Sequence, residues 1–416
     1  MNTILKNAEW IEISGSFMVS EYVVKKEGLA RILVPNPDKY RRSDGVYEPA
    51  WAPVFYNPAM VSNRDSTIVV LKALNVKIGF AADSLAGTGV RGIRIALEVG
   101  GVEQVLINDI DATAFNIMKK NVELNPTVKH KVKVFRMDAN EFHGFLRRIG
   151  LKPDYIDVDP YGSPAPFTFT ALYAVRKGGI IGFTATDLAP LGGKYPWKSM
   201  RRYQSHVIKT DFYKEMMLRN LLGFIARTAT VIDKVVEPLL SYVHRHYARV
   251  YVRVYEGASR ANDVLKRCLG YIEYCVKCGY RRVVQGVNSR NFNRSCPICL
   301  SKIEVLGPIW IGGLSDREFV SEAIDVARRI PWLESRRDLV GILESLRTEV
   351  CIDNPYFRIS KVASYLKVNM PSVRKVIQCL REKGYQAVRS YMDVDSVRTN
   401  ASYNDVIECV KSTFRQ

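Results

Sequence analysis

The run Asp157-Val158-Asp159-Pro160-Tyr161-Gly162 puts an acid, a proline and an aromatic ring directly after a short apolar segment. Residues 155–158 read as a buried strand, so the three groups fall at its carboxyl end. The Asp159 carboxylate and the Pro160 carbonyl both accept hydrogen bonds from an NH2 group. Two such acceptors draw the amine nitrogen toward tetrahedral geometry and expose its lone pair, while Tyr161 stacks on the attached heterocycle. An ordinary strand-to-loop turn has the same signature, so the motif gains meaning only from its neighbours. A second constellation is independent of the first. Cys275-Val-Lys-Cys278 and Cys296-Pro-Ile-Cys299 form a C-x2-C-x17-C-x2-C pattern, within the spacing range of four-thiolate zinc sites. Four thiolates close a tetrahedral shell with no open position, so the expected role of Zn2+ is structural.

The elements that must position the first motif are read from residues 80–111. A strand over 76–82 leads into a turn with Gly87, Gly89 and Gly92. A helix follows over 93–99, then a second strand over 105–107 that ends in Asp109. Glycines there let the backbone approach a ligand, and an acid about 20 residues further on accepts from ribose hydroxyls. Asp83, at the first strand's end, is placed to take a ligand ammonium. No phosphate-binding lysine follows the turn, which disfavours a P-loop. An adenosine with a charged amino-acid tail fits better than a pyrophosphate, and S-adenosyl-L-methionine is such a ligand. A third strand over 132–137 ends in Asp138-Ala139-Asn140, where Asp138 faces the same crevice and can accept from an adenine amine. Asp65 or Ser66 is expected to cap a helix over 68–74. Arg64, just before it, is then free to clamp a ligand carboxylate. Phe115, Met118 and Val122 recur at helical spacing and read as core.

The formal net charge is +19 over 416 residues, which points to a polyanionic partner, most simply nucleic acid. Residues 194–214 interleave Lys194, Lys198, Arg201, Arg202 and Lys209 with Tyr195, Trp197 and Tyr203. Bases can stack on such rings while the cations meet phosphates. Residues 230–255 read as an antiparallel strand pair with His244 and His246 on one strand face. Residues 357–391 read as helix, turn, helix, strand, with helix starts at Ser360 and Pro371-Ser372 and a stop at Gly384. That order is winged-helix-like. The amino-terminal run lacks the features of a secretory signal, and no apolar run approaches the ~18 residues of a membrane span. Cys268, Cys351, Cys379 and Cys409 are expected as buried thiols of a chain in a reducing compartment.

Together, VFYNPAMVSNRD (54–65), DSLAGTGVRGIR (83–94), INDID (107–111), MDAN (137–140), DVDPYGSPAPF (157–167) and TATDLAPLGG (184–193) resemble the Trm1 family, the tRNA guanine-N2 dimethyltransferases. EGLARILVP and GYQAVRSY extend the likeness toward both ends. The resemblance implies an α/β fold: a class I, Rossmann-like methyltransferase domain over 1–256, strand-rich at its start. It implies an α+β C-terminal tRNA-binding domain over 257–416 that carries the four-cysteine zinc site and the winged-helix-like unit. It also implies S-adenosyl-L-methionine as methyl donor and guanine 26 of tRNA as acceptor. Cofactor contacts carry over to Arg64, Arg91, Asp109, Asp138 and Ala139, and Asp159, Pro160 and Tyr161 match the family's catalytic tetrapeptide, with tyrosine where phenylalanine is common. Leu188 and Gly192 stand where relatives often have glycine and cysteine. The expectation is a cytoplasmic monomer acting on tRNA, with Asp138 as a second contributor to catalysis. Two alternatives stay open. One is methylation of another nucleobase amine, adenine N6 in DNA or guanine N2 in ribosomal RNA. The other is a non-catalytic zinc-containing RNA-binding protein.

Overall fold

Alternation of apolar and polar residues starts the first of two units, which takes in residues 1–159, 174–176 and 325–339. The computed structural model describes residues 12–13, 16–17 and 21–414. Strands β1 (Tyr22–Glu27) and β2 (Ala30–Pro35) form an antiparallel hairpin, Glu27 opposite Ala30. Helix α1 (Val61–Ala73) follows. Then come β3 (Phe80–Asp83), α2 (Val90–Glu98), β4 (Gln104–Asn108), α3 (Ala112–Glu123), β5 (Val132–Phe135), α4 (Ala139–Arg148) and β6 (Tyr155–Val158). The alternation of strand and helix gives a parallel ladder, as short connections through helices require. The order is β6-β3-β4-β5, with Asp83 paired to Ile107 on one side and Asp157 on the other. All four carboxyl ends therefore lie along one edge. Asn121 of α3 holds the hairpin by donating to Leu33 O (3.1 Å) and accepting from Leu33 N (2.6 Å).

Helix α1 starts earlier than its sequence suggested. Asn57 caps a short 3-10 turn over Pro58–Met60 that runs straight into it. Asp65 and Ser66 are thus inside the helix rather than at its cap, and so is Arg64. All three are buried: a charge cluster from several elements takes in Arg64 and Asp65, and Ser66 Oγ donates to Asn63 O (2.7 Å). Arg64 sends Nε to Glu27 Oε1 (2.6 Å) and Nη2 to Glu27 Oε2 (2.7 Å). Arg94, fully buried, meets Glu98 (2.8 Å), Glu27 (3.1 Å) and Asp65 (2.7 Å). Asp65 also accepts from Ser335 N and Oγ, and Glu98 from Trp332 Nε1. The cluster thereby fastens residues 325–339 to the hairpin and the two helices. Of the three α3 positions expected in the core, Met118 and Val122 are buried, while Phe115 is half-buried under the Lys119 ammonium.

The second unit takes in residues 160–173, 177–324 and 340–416. It comprises α5 (Ala165–Ala174, whose last residue belongs to the first unit), β7 (Ile180–Ala185), α6 (Pro196–Tyr203), α7 (Tyr213–Thr230), β8 (Lys234–His244) and β9 (Tyr247–Glu256). Strands β8, β9 and β7 pair antiparallel in that order. Thr230 ends a helix rather than opening a strand. His244 and His246 do not share a strand face: His244 ends β8, His246 lies in the β8–β9 turn, and each makes a T-shaped ring contact with Tyr247. After α8 (Ala258–Arg267), β10 (Leu269–Tyr274), β11 (Arg281–Gln285) and β12 (Glu304–Trp310) make a three-stranded sheet with β10 in the middle. Helices α9 (Arg317–Arg329) and α10 (Arg336–Glu349) are each divided between the units.

The chain closes with β13 (Phe357–Arg358), α11 (Ile359–Leu366), α12 (Val373–Glu382), β14 (Ala387–Arg389), β15 (Ser396–Thr399) and α13 (Tyr403–Phe414). Arg358, not Ser360, stands at the α11 cap, whereas Ser372 caps α12 and Gly384 follows it at φ +87°. Cys379 and Cys409 are not thiols but a disulfide joining α12 to α13; Cys268 is half-buried and Cys351 exposed. No helix among the described residues is long and apolar enough to cross a membrane.

Arg94→Met leaves the carboxylates of Glu27, Asp65 and Glu98 without their shared guanidinium in a buried site. The expected loss of unfolding free energy is about 3–5 kcal/mol, measurable by guanidinium denaturation. An unchanged midpoint would remove the cluster from its fastening role.

Candidate active site and metal centre

The strand order brings Asp159, Asp83, Asp109 and Asp138 to the carboxyl ends of β6, β3, β4 and β5. Asn108 locks three of these ends together. Its Nδ2 donates to Ser84 O (3.1 Å) and Met137 O (3.0 Å), and its Oδ1 accepts from Met137 N (3.0 Å). Beneath Ser84, the Oγ meets His143 Nε2 at 2.8 Å; burial lowers that imidazole to about 4, so it is neutral at pH 7. Neither Asn108 nor His143 stood out in the sequence, since each acts through backbone or hydroxyl partners distant in the chain.

The glycine turn is shaped by close approach. Gly87 (φ +55°) lies where a Cβ would come within 2.8 Å of Phe55 O, and its N–H donates to Asp109 Oδ2 (2.8 Å). Gly89 (φ +77°) opens α2, and a Cβ there would crowd Ile107. Asp109 accepts at Oδ1 from Asp111 N (3.0 Å), so one acid closes both the turn and the following loop. Asp138 caps α4, its Oδ1 accepting from Asn140 N (2.8 Å), and Ala139 is buried at the first position of that helix.

Arg91 is the connecting residue. Its side chain is buried, with Nη1 donating to Asn63 Oδ1 (3.0 Å) and Thr67 Oγ1 (2.7 Å), Nε 3.3 Å from Asp157 Oδ1, and Nη2 donating to Asp159 Oδ2. Asp157 in turn accepts from Tyr155 Oη. Sequence reading put Arg91 against the cofactor; the structure brings it to Asp159 and Asp157. It puts Arg64 against Glu27. Asp159 is 17 % exposed, accessible to a substrate yet fixed from behind. Asp83 is 2 % exposed and its Oδ2 has no hydrogen-bond partner. Burial pushes its carboxyl up to about 7; Arg91 opposes this, and the nearby Asp157, Asp159 and Asp109 reinforce it. An orphaned carboxylate oxygen beside a glycine cradle fits the ammonium of an amino-acid tail. The donor set therefore suits S-adenosyl-L-methionine.

In the second unit, Pro160 is buried and Tyr161 is 81 % exposed. The peptide after them is clamped: Gly162 N donates to Thr186 Oγ1 and Thr186 N to Gly162 O, both at 2.8 Å. Tyr203 is not available for stacking on a base. It is fully buried, its hydroxyl on Asp187 Oδ1 (2.6 Å) and Ser163 Oγ (2.7 Å). Tyr195 and Trp197 are exposed, as expected.

Residues 28–411 match the family model described as N2,N2-dimethylguanosine tRNA methyltransferase. The chain belongs to this family. It is 36 % identical over 387 residues to the tRNA (guanine(26)-N(2))-dimethyltransferase of Saccharolobus solfataricus, covering 93 % of this chain and 98 % of that one. Against the protein of the same name from Sulfurisphaera tokodaii it is 33 % identical over 386 residues, again 93 % and 98 %. Among solved structures it is similar to Trm1 from Pyrococcus horikoshii in complex with S-adenosyl-L-methionine. The TM-score is 0.81 at 32 % identity, over 93 % of this chain and 99 % of that one. The family expected from the motifs is thus the family found, and the class I methyltransferase fold with it.

The cysteine pairs converge. All four Sγ atoms lie within 4.8 Å of one another, with Cys275–Cys299 and Cys278–Cys296 at 3.5 Å. Tyr280 N and Ile298 N each point at the Sγ two residues before them (3.4 Å), which favours thiolates over neutral thiols. Sulfurs about 2.3 Å from a common centre have spacings of this size, so the four can hold a zinc ion. The site packs against Phe357, Ile359, Val406 and Val410, tying β10 and β12 to the last helices.

The purified chain should carry one zinc per molecule by mass spectrometry, and Cys278→Ser should lose both the metal and several degrees of Tm; a metal-free chain of full stability would refute the structural role. For Asp83, the folded carboxyl titrates at about 7, above the ~3.9 of an unfolded chain. The folded state then holds the extra proton, and its stability falls as pH rises from about 4 to 7. Asp83→Asn has no such charge to bury. Its Tm advantage over wild type should therefore grow between pH 5 and pH 8 in cofactor-free protein, and a pH-independent offset would contradict the assignment.

Proposed function

We propose that this protein methylates the exocyclic N2 of guanine 26 in tRNA, first to N2-methylguanine and then to N2,N2-dimethylguanine, with S-adenosyl-L-methionine as donor. Family membership supports the substrate, and the observation that carries the chemistry is Asp159 held by Arg91 at the carboxyl end of β6. Bound S-adenosyl-L-methionine supplies an electrophilic methyl on its sulfonium. Asp83 would take the ammonium, the Gly87–Gly89 turn would take the tail backbone-first, Asp109 would take the ribose hydroxyls, and Asp138 with Ala139 would border the adenine.

Guanine N2 is a weak nucleophile because its lone pair is delocalised into the ring. Asp159, with Oδ2 fixed on Arg91, presents its remaining oxygen to one N–H, and the Pro160 carbonyl accepts from the other. Both acceptors gain strength as the amine becomes positive in the transition state, which is where stabilisation raises rate. Tyr161 stacks on the base, and the released proton passes to Asp159 or, with Asp138 as second acceptor, to solvent. Arg91 acts here as a positioning residue: by fixing Asp159 it makes the acceptor rigid before substrate arrives. In this reading residues 1–256 do the catalysis. Residues 257–416, with the four-cysteine centre and the winged-helix-like β13-α11-α12-β14-β15 order, grip the tRNA. The enzyme works as a monomer in the cytoplasm.

The test is mass spectrometry of nucleosides from unmodified tRNA incubated with protein and S-adenosyl-L-methionine. Dimethylguanosine should form, vanish when guanine 26 is replaced, and form at least ~10²-fold more slowly with Asp159→Asn. Methylated adenosine, or none at all with several tRNAs, would overturn the reading.

A further inference from the structure

A cavity of about 410 Å³ opens in the second unit among Lys194, Lys209, Thr210, Tyr213, Met217 and Arg358. Its size falls in the ~300–1,000 Å³ range of small-ligand sites. Lys194 and Lys209 are exposed and form no ion pair with a carboxylate among the described residues. Arg358, by contrast, is held by Asp395 at 3.0 Å and Asp393 at 3.7 Å. The two lysines therefore leave the cavity with uncompensated positive charge. Thr210 is 4 % exposed and its Oγ1 is buried with no hydrogen-bond partner. A buried hydroxyl with nothing to bond is destabilising unless a ligand completes it. On the adjoining chain, Tyr195 and Trp197 are 49 % and 82 % exposed, alongside the exposed cations of Lys198 and Arg201. No carboxylate lines the cavity among the described residues, so it lacks the acid that Asp159 presents to the amine in the proposed methyl transfer.

We propose that this cavity seats one nucleotide of the tRNA other than the guanosine that is methylated. Its phosphate lies between Lys194 and Lys209, its sugar or base edge completes the Thr210 hydroxyl, and its heterocycle lies against Tyr213. Tyr195 and Trp197 take the next bases along the strand by stacking. The proposal rests on the tRNA methyltransferase reading above and adds to it a second point at which the RNA is held.

The experiment uses the full chain with S-adenosyl-L-methionine and unmodified tRNA. Lys194→Ala/Lys209→Ala should raise KM for tRNA about tenfold and make the slope of log affinity against log salt shallower by about 1–2, with kcat unchanged. Thr210→Val should raise that KM about threefold while Tm stays level or rises, because the orphaned hydroxyl is gone. A merely structural threonine would not separate the two readouts in this way. Wild-type KM and salt slope in the lysine variant, or wild-type KM with a raised Tm in Thr210→Val, would overturn the nucleotide seat while leaving the methyltransferase reading intact. A wild-type enzyme that methylates no tRNA would overturn that reading instead.

Discussion

A single buried guanidinium among carboxylates is the constraint on which the site depends. Arg91 stands between Asp157 and Asp159, with Asp83 close enough to feel all three. Without it, the edge of the parallel strands would gather acids and no counter-charge, and like charges in a poorly solvated site drive protonation rather than chemistry. With it, the acids have different fates. Asp157 is buried and holds the guanidinium from below. Asp159 is held at the surface, and Asp83 keeps an oxygen without a partner. The remainder of the first unit supports this arrangement. Asn63 and Thr67 of α1 take the other end of Arg91, and α1 is itself tied down by the Glu27–Arg64–Arg94–Asp65 cluster.

Two charge clusters thus do different work with the same residue types. In the structural one, Glu27, Asp65 and Glu98 are all fully buried and each lies close to an arginine, so none is open to a ligand. In the functional one, one carboxylate is left incompletely satisfied and another is exposed on one side. That asymmetry separates a fastening from a binding site.

Much of this was legible in the sequence because local pattern decided it. The glycine turn, the acids that end successive strands and the paired cysteines are short-range signals; the acids and cysteines fell where their spacing put them, and Gly87 and Gly89 shape the turn, whereas Gly92 lies inside helix α2, which starts at Val90. What was missed depends on contacts between distant segments. Glu27 lies 37 residues before Arg64, and nothing in the intervening sequence says that it takes the fork expected to bind a ligand. Arg91 and Asp159 are 68 residues apart. Tyr203 looked like a stacking ring because it stood among cations, but helix α6 turns that side inward onto Asp187. The Cys379–Cys409 disulfide escaped for a related reason: α12 and α13 must pack before the two sulfurs become neighbours.

We propose that Arg91 serves Asp159 rather than the cofactor. Arg91→Lys tests it most directly, since lysine keeps the charge but cannot span Asn63, Thr67, Asp157 and Asp159 at once. The measurement is kcat on tRNA alongside the dissociation constant of S-adenosyl-L-methionine, in a variant checked for folding by its thermal transition. The expected result is kcat lowered ~10²-fold, with cofactor affinity close to wild type. A variant that loses cofactor affinity but turns over at the wild-type rate when saturated would contradict it.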